Sequence, residues 1–127
     1  MPSKPDFLLV EDNLIDQFVT KKLLKKGLNI NPLFIANNGK EAIDWLIQNP
    51  IQNSLVILLD IQMPVMNGFE FLEEFARLAE KINSKVEIFV LSSTLDTDEI
   101  RKAKENKYVT DFWSKPFCLE TLKNTFL

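Results

Sequence analysis

A chain of 127 residues, 46% hydrophobic and 26% charged, has the length of one domain and enough apolar material to bury a core. No apolar run reaches the ~20 residues of a membrane helix. The single cysteine, Cys118, rules out an internal disulfide and fits a reducing cytoplasm, and a net charge of −3 does not favour nucleic acid. With no histidine in the chain, histidine-based zinc sites, Ser-His-Asp triads and Cys-His dyads are excluded, so any chemistry must run on carboxylates, hydroxyls and lysines.

The chain alternates short apolar runs with amphipathic segments. Residues 7–10 (Phe-Leu-Leu-Val) form a short strand that stops at Glu11-Asp12, which is not the core of a secretory leader. Leu14/Phe18 and Ile15/Val19/Leu23 fall at helical spacing over 14–26, and Gly27 is expected to end that helix. Lys21, Lys22, Lys25 and Lys26 read as its solvated face. A second strand covers 33–36, Asn37-Asn38-Gly39 makes a turn, and Ala42, Ile43, Leu46 and Ile47 line a second helix stopped by Asn49-Pro50.

Residues 55–59 (Leu-Val-Ile-Leu-Leu) show no alternation, as in a strand buried on both faces, and the run ends at Asp60. A turn with Pro64 and Asn67-Gly68 precedes a third helix carrying Phe71, Leu72, Phe75, Leu78 and Ala79. A fourth strand, 86–91, ends at Ser92-Ser93. Asp96 or Thr97 can cap a fourth helix that turns Ile100 and Ala103 inward. A fifth strand, 109–113, ends at Ser114-Lys115-Pro116, and Leu119, Leu122 and Phe126 mark a last short helix.

This is an α/β chain of five βα units. Buried strands alternating with helices imply a parallel sheet, doubly wound, with helices on both faces. Ligands of such sheets bind beyond the carboxyl ends of the strands. Four strand ends deliver Glu11/Asp12, Asp60, Ser92 and Lys115 to that rim. If Glu11, Asp12 and Asp60 converge, each pair ~5 Å apart repels by ~3 kcal/mol at an effective dielectric near 20. Such a cluster asks for a cation, and oxygen donors suit Mg²⁺. Singly, each residue has a plainer reading: Asp12 or Asn13 as a helix cap, Ser92 as a turn residue, Lys115 as a surface lysine. Together they suit phosphoryl transfer, with Asp60 as a nucleophile able to form an acyl phosphate.

Four segments carry a family resemblance, in order and over essentially the whole chain. They are Phe7-Leu8-Leu9-Val10-Glu11-Asp12-Asn13, Leu58-Leu59-Asp60-Ile61-Gln62-Met63-Pro64-Val65-Met66-Asn67-Gly68, Val90-Leu91-Ser92-Ser93, and Ser114-Lys115-Pro116-Phe117. The chain resembles the receiver domains of two-component response regulators. The resemblance implies a flavodoxin-like three-layer fold with strand order 2-1-3-4-5. It implies Asp60 as phosphoacceptor and Mg²⁺ held by Asp12, Asp60 and the Gln62 carbonyl, with Glu11 acting mainly through water. It further implies Ser92 as the switch hydroxyl, Lys115 pairing with the phosphoryl group, Phe112 at the aromatic switch position, and a cis peptide before Pro116.

The same resemblance implies a donor that is a sensor histidine kinase or a histidine phosphotransfer protein. The output would be a protein bound through the fourth helix, fifth strand and fifth helix, near Asp96, Lys104, Lys107, Tyr108 and Trp113, with Trp113 alternatively a buried packing residue. Neither nucleic acid nor membrane is expected as a partner. The expected protein is a single stand-alone receiver over residues 1–127, monomeric or dimerising on phosphorylation, and no enzyme beyond its own phosphoryl transfer and dephosphorylation. The chain departs from the family pattern in the pair Glu11-Asp12 where Asp-Asp is common, in Phe112 lacking a tyrosine hydroxyl, and in an extra residue near Asn106-Lys107. Two other readings on related folds are an adaptor that works without phosphorylation and a haloacid-dehalogenase-type phosphatase. The intact acids and Lys115 argue against the first, and Gln62, where that phosphatase family carries an acid, argues against the second.

Overall fold

The computed structural model describes residues 5–30, 33–51, 54–63, 65–82, 85–115 and 117–127. Ten elements alternate along the chain: β1 (Asp6–Val10), α1 (Leu14–Leu28), β2 (Phe34–Ala36), α2 (Gly39–Gln48), β3 (Ser54–Asp60), α3 (Gly68–Ala79), β4 (Lys85–Ser92), α4 (Thr97–Glu105), β5 (Val109–Ser114) and α5 (Leu119–Phe126). The strands form one parallel sheet in the order β2-β1-β3-β4-β5. This is the flavodoxin-like order that the resemblance implies.

Successive side chains of a strand point to opposite faces, so each strand feeds two cores. On one face Leu8, Val10, Ile57, Leu59, Ile88 and Val90 pack under α2, α3 and α4. On the other, Phe7, Leu9, Val56, Leu58, Phe89 and Leu91 pack under α1 and α5. Every residue from Leu55 to Asp60 is buried, as the unbroken apolar run predicts.

Asparagine starts three of the helices. Asn13, Asn38 and Asn67 each accept a backbone N–H of the first turn. The start of α3 presses on the end of β3: a Cβ added to Gly68 would come within 2.6 Å of the Ile61 Cα, so glycine permits this close approach.

Two expectations need correction. Gly27 does not stop α1. The helix runs to Leu28 and is closed by Asn29 in the left-handed region (φ 56°), while Gly27 lies inside it against Leu119. Leu14, Ile15 and Phe18 of the expected apolar stripe are 74%, 73% and 59% exposed. The buried face of α1 is Gln17, Thr20, Leu24 and Leu28 instead. Periodicity identifies a helix but does not say which of two neighbouring stripes faces the sheet. Of the two readings of Trp113, the buried packing one holds: it packs against Phe89, Phe117 and Phe126 on the α1/α5 side. Tyr108 is half-buried on Phe75, whereas Asp96, Lys104 and Lys107 are exposed. Near the expected extra residue, the β4–β5 register shifts between Ile88 and Phe89, whose partners are Val109 and Asp111.

Candidate functional site: an acidic rim crossed by one lysine

The register of the sheet assembles the site. Val10 pairs with Leu59, so the next residues along, Glu11 and Asp60, leave the sheet side by side. Glu11 continues the phase of Phe7 and Leu9, Asp60 that of Leu58, and Lys115 that of Trp113, so all three belong to the α1/α5 face. Carboxylate oxygens of Glu11, Asp12 and Asp60 lie within 4.8 Å of one another. Glu11 and Asp60 are buried, and Asp12 opens to solvent.

Lys115 reaches into this cluster from the end of β5. Its Nζ donates to Glu11 Oε1 at 2.5 Å and to Asp16 Oδ2 at 3.0 Å, and lies 3.7 Å from Asp60 Oδ2. The other Glu11 oxygen accepts the Asn13 N–H at 3.2 Å. Gln17 braces the same loop, donating to the Glu11 carbonyl at 2.6 Å and to Asn37 Oδ1 at 2.8 Å. Asp60 Oδ1 accepts the Gln62 N–H at 3.1 Å.

The electrostatics follow from burial and proximity. Burial pushes the Glu11 carboxyl from its ordinary 4.5 up to about 7, with Asp60 adding to the push and Lys115 opposing it. Burial alone would lower the Lys115 ammonium, but its bonds to Glu11 and Asp16 and the charge of Asp60 outweigh this and hold it above the ordinary lysine range. The donors are hard oxygens, and Glu11 resists ionising in their midst, so the cluster suits a small divalent cation.

The hydroxyl half of the rim is arranged differently. Ser92 is fully buried. Its Oγ accepts the Thr94 N–H at 3.0 Å and its carbonyl accepts the Lys115 N–H at 2.9 Å. Phe112, paired with Val90, is half-buried against the α2–α4 core. Pro116 lies outside the described residues, and so does the expected cis bond. The structure therefore joins Glu11, Asp12, Asp60 and Lys115, with Gln62 bound to Asp60, and places Ser92 and Phe112 toward the opposite face. Sequence reasoning missed Asp16 and Gln17. An acid in the first turn of a helix reads as a response to the helix dipole, and nothing local links it to a lysine 99 residues away.

The model of the response regulator receiver domain matches residues 7–126. The chain belongs to that family. A response regulator receiver protein from Dyadobacter fermentans is 33% identical, superimposes with a TM-score of 0.85, and is covered over 94% of its chain by 96% of this one. Transcriptional regulatory protein CrdR of Helicobacter pylori is 31% identical over 94% of this receiver, which spans about half (52%) of that relative's length. The receiver domain of sensor histidine kinase PA1611 from Pseudomonas aeruginosa has a magnesium ion coordinated in its active-site cleft. It shares the fold at a TM-score of 0.75 and 24% identity, with 98% of this chain on 95% of that one. The protein is thus a receiver domain of two-component signalling, with an acidic pocket of Glu11, Asp12 and Asp60 compatible with Mg²⁺ and an aspartyl phosphate. Among the described residues, no helix is long and apolar enough to cross a membrane.

Proposed function

We propose that Asp60 is the phosphoacceptor of this receiver. The observation that carries this reading is the Lys115 ammonium lying between the Glu11 carboxylate and, at 3.7 Å, that of Asp60. A carboxylate oxygen of Asp60 attacks phosphorus of a phosphorylated histidine on a sensor kinase or phosphotransfer protein. The new P–O bond forms as the P–N bond breaks, and the imidazole leaves and takes up a proton. Water later cleaves the acyl phosphate, returning the carboxylate and inorganic phosphate.

Asp12, Asp60 and the Gln62 carbonyl would hold Mg²⁺, which neutralises charge on the transferring group. Glu11 is already engaged by Lys115 and the Asn13 N–H, which suits a role through water. Lys115 would pair with the phosphoryl oxygens. Ser92 Oγ accepts the Thr94 N–H and would donate its own proton to one of them as its loop moves in, and Phe112 would pack inward behind it, reshaping the surface of α4, β5 and α5 for an output protein. Leu14, Ile15, Val65 and Leu95, all exposed on segments leaving the acidic edge, offer an apolar rim for the donor protein.

The test is labelling with acetyl phosphate and Mg²⁺, read by intact mass. One phosphoryl group is expected on the wild type and none on Asp60→Asn. A wild type left unmodified by both acetyl phosphate and a phosphohistidine donor, or equal labelling of the variant, overturns the assignment.

A further inference from the structure

Four helices of this protein carry an acid at the third position after the cap, and one of them uses it differently. In α3, Glu70 reaches back to the N–H of its own cap, Asn67, at 3.1 Å. In α2, Glu41 accepts from the N–H and amide of Asn37 and from the amide of Asn38. In α4, Glu99 accepts the Thr94 hydroxyl at 2.7 Å, just ahead of the cap. All three serve their own helix start. The equivalent residue of α1 is Asp16. Its N–H is bound by the cap Asn13, but its carboxylate turns away to Lys115 at 3.0 Å. The cap's own N–H goes to Glu11 instead.

Lys115 thereby has two hydrogen-bonded carboxylates, Glu11 and Asp16, and a third, Asp60, beyond hydrogen-bond range at 3.7 Å. Glu11 leaves the sheet beside Asp60, whereas Asp16 sits on the first turn of α1 and takes a second donor of the same ammonium. An ammonium has three donors, and the oxygens of a phosphoryl group need one or more of them. We propose that Asp16 is a positioning residue that holds Lys115 back from Asp60 and competes with the phosphoryl group for the lysine. This rests on Asp60 as phosphoacceptor. The hold is moderate: the Lys115 side chain is 18% exposed and that of Asp16 42%, so solvent screens the pair.

The experiment measures beryllofluoride affinity in Mg²⁺, as a phosphoryl mimic, for the wild type, Asp16→Asn, Asp16→Glu, Lys115→Met and the double variant Asp16→Asn/Lys115→Met. Asp16→Asn is expected to bind roughly three- to tenfold more tightly, and Asp16→Glu to restore wild-type affinity. In the Lys115→Met background, Asp16→Asn is expected to have little effect, which separates competition for the lysine from simple removal of a negative charge. The ¹⁵N resonance of the Lys115 ammonium, recorded without donor, is expected to shift in Asp16→Asn. Unchanged affinity in Asp16→Asn, or the same gain with and without Lys115, overturns the proposal while leaving Asp60 as phosphoacceptor untouched. A wild type that takes up no beryllofluoride overturns the phosphoacceptor reading, and this inference falls with it.

Discussion

The two halves of the acidic rim are built on opposite faces of the same sheet, and they differ in how complete they are. On the α1/α5 face, Glu11, Asp60 and Lys115 are already within a few ångströms of one another, with Asp16 added from the helix. On the α2–α4 face, the Ser92 hydroxyl is tied to its own loop through Thr94, and that loop is further tied by Thr94 to Glu99 and Asp96. The sheet register and the attraction between Lys115 and the carboxylates bring the charged half together. The neutral half has only hydrogen bonds to satisfy, and it satisfies them locally. On the proposed roles of Asp60 and Ser92, the charged part of the switch is already assembled on the lysine side, and the part expected to move lies on the serine side.

Removing the lysine breaks the charged half and should have the largest effect. Without Lys115, Glu11 is a buried acid that keeps the Asn13 N–H but faces Asp60 with no neighbouring cation from β5. Breaking a fully buried pair costs ~3–5 kcal/mol. Lys115 is partly exposed and Glu11 can protonate, so Lys115→Met is expected to cost about 2 kcal/mol at pH 8 without Mg²⁺. The sign with pH is fixed by Glu11. Its folded pKa is raised, to about 7 from 4.5, so its ionisation opposes folding as pH rises through that window, and losing Lys115 makes ionisation harder still. The penalty should therefore shrink toward pH 5, where Glu11 is neutral. Urea unfolding at the two pH values checks this. An equal loss at both would mean that Lys115 acts by packing rather than charge.

The same carboxyl sharpens the comparison through metal binding. A cation beside Asp12 and Asp60 favours ionised Glu11, so metal and proton compete. With Glu11 titrating near 7, Mg²⁺ affinity should be roughly tenfold weaker at pH 6 than at pH 8. Titration calorimetry in buffers of different ionisation heat would also register proton release. A flat profile would mean that Glu11 is ionised before the metal arrives.

The contrast between halves also explains what could be read from the sequence. Strand ends are legible because an apolar run buried on both faces must stop where the chain leaves the sheet, so Glu11, Asp60, Ser92 and Lys115 mark the rim at once. Packing partners are less legible. Trp113 can be read as surface or, more readily, as core, and the cluster with Phe89, Phe117 and Phe126 decides for core. The apolar Leu14, Ile15 and Phe18 suggest a buried stripe, yet the neighbouring stripe faces inward, where Leu24 and Leu28 join the core and Gln17 donates to the Glu11 carbonyl and Asn37. Asp16 is the least legible residue, since its partner comes from the far end of the chain.

The smallest effect should come from the serine side. Ser92→Ala removes one acceptor from the Thr94 N–H, and Thr94 is only half-buried, so water can replace the bond. A neutral hydrogen bond of this kind contributes ~1 kcal/mol or less, and the fold should lose no more than that by urea unfolding. The consequence for signalling should exceed the consequence for stability. With no hydroxyl to follow the phosphoryl group, beryllofluoride and Mg²⁺ should still bind through Asp60 and Lys115. The chemical-shift changes they cause in wild-type α4 and β5 should be reduced in the variant. Full-sized changes there in Ser92→Ala would show that the lysine side alone moves the output surface, and that the two halves are not divided into a poised part and a moving part.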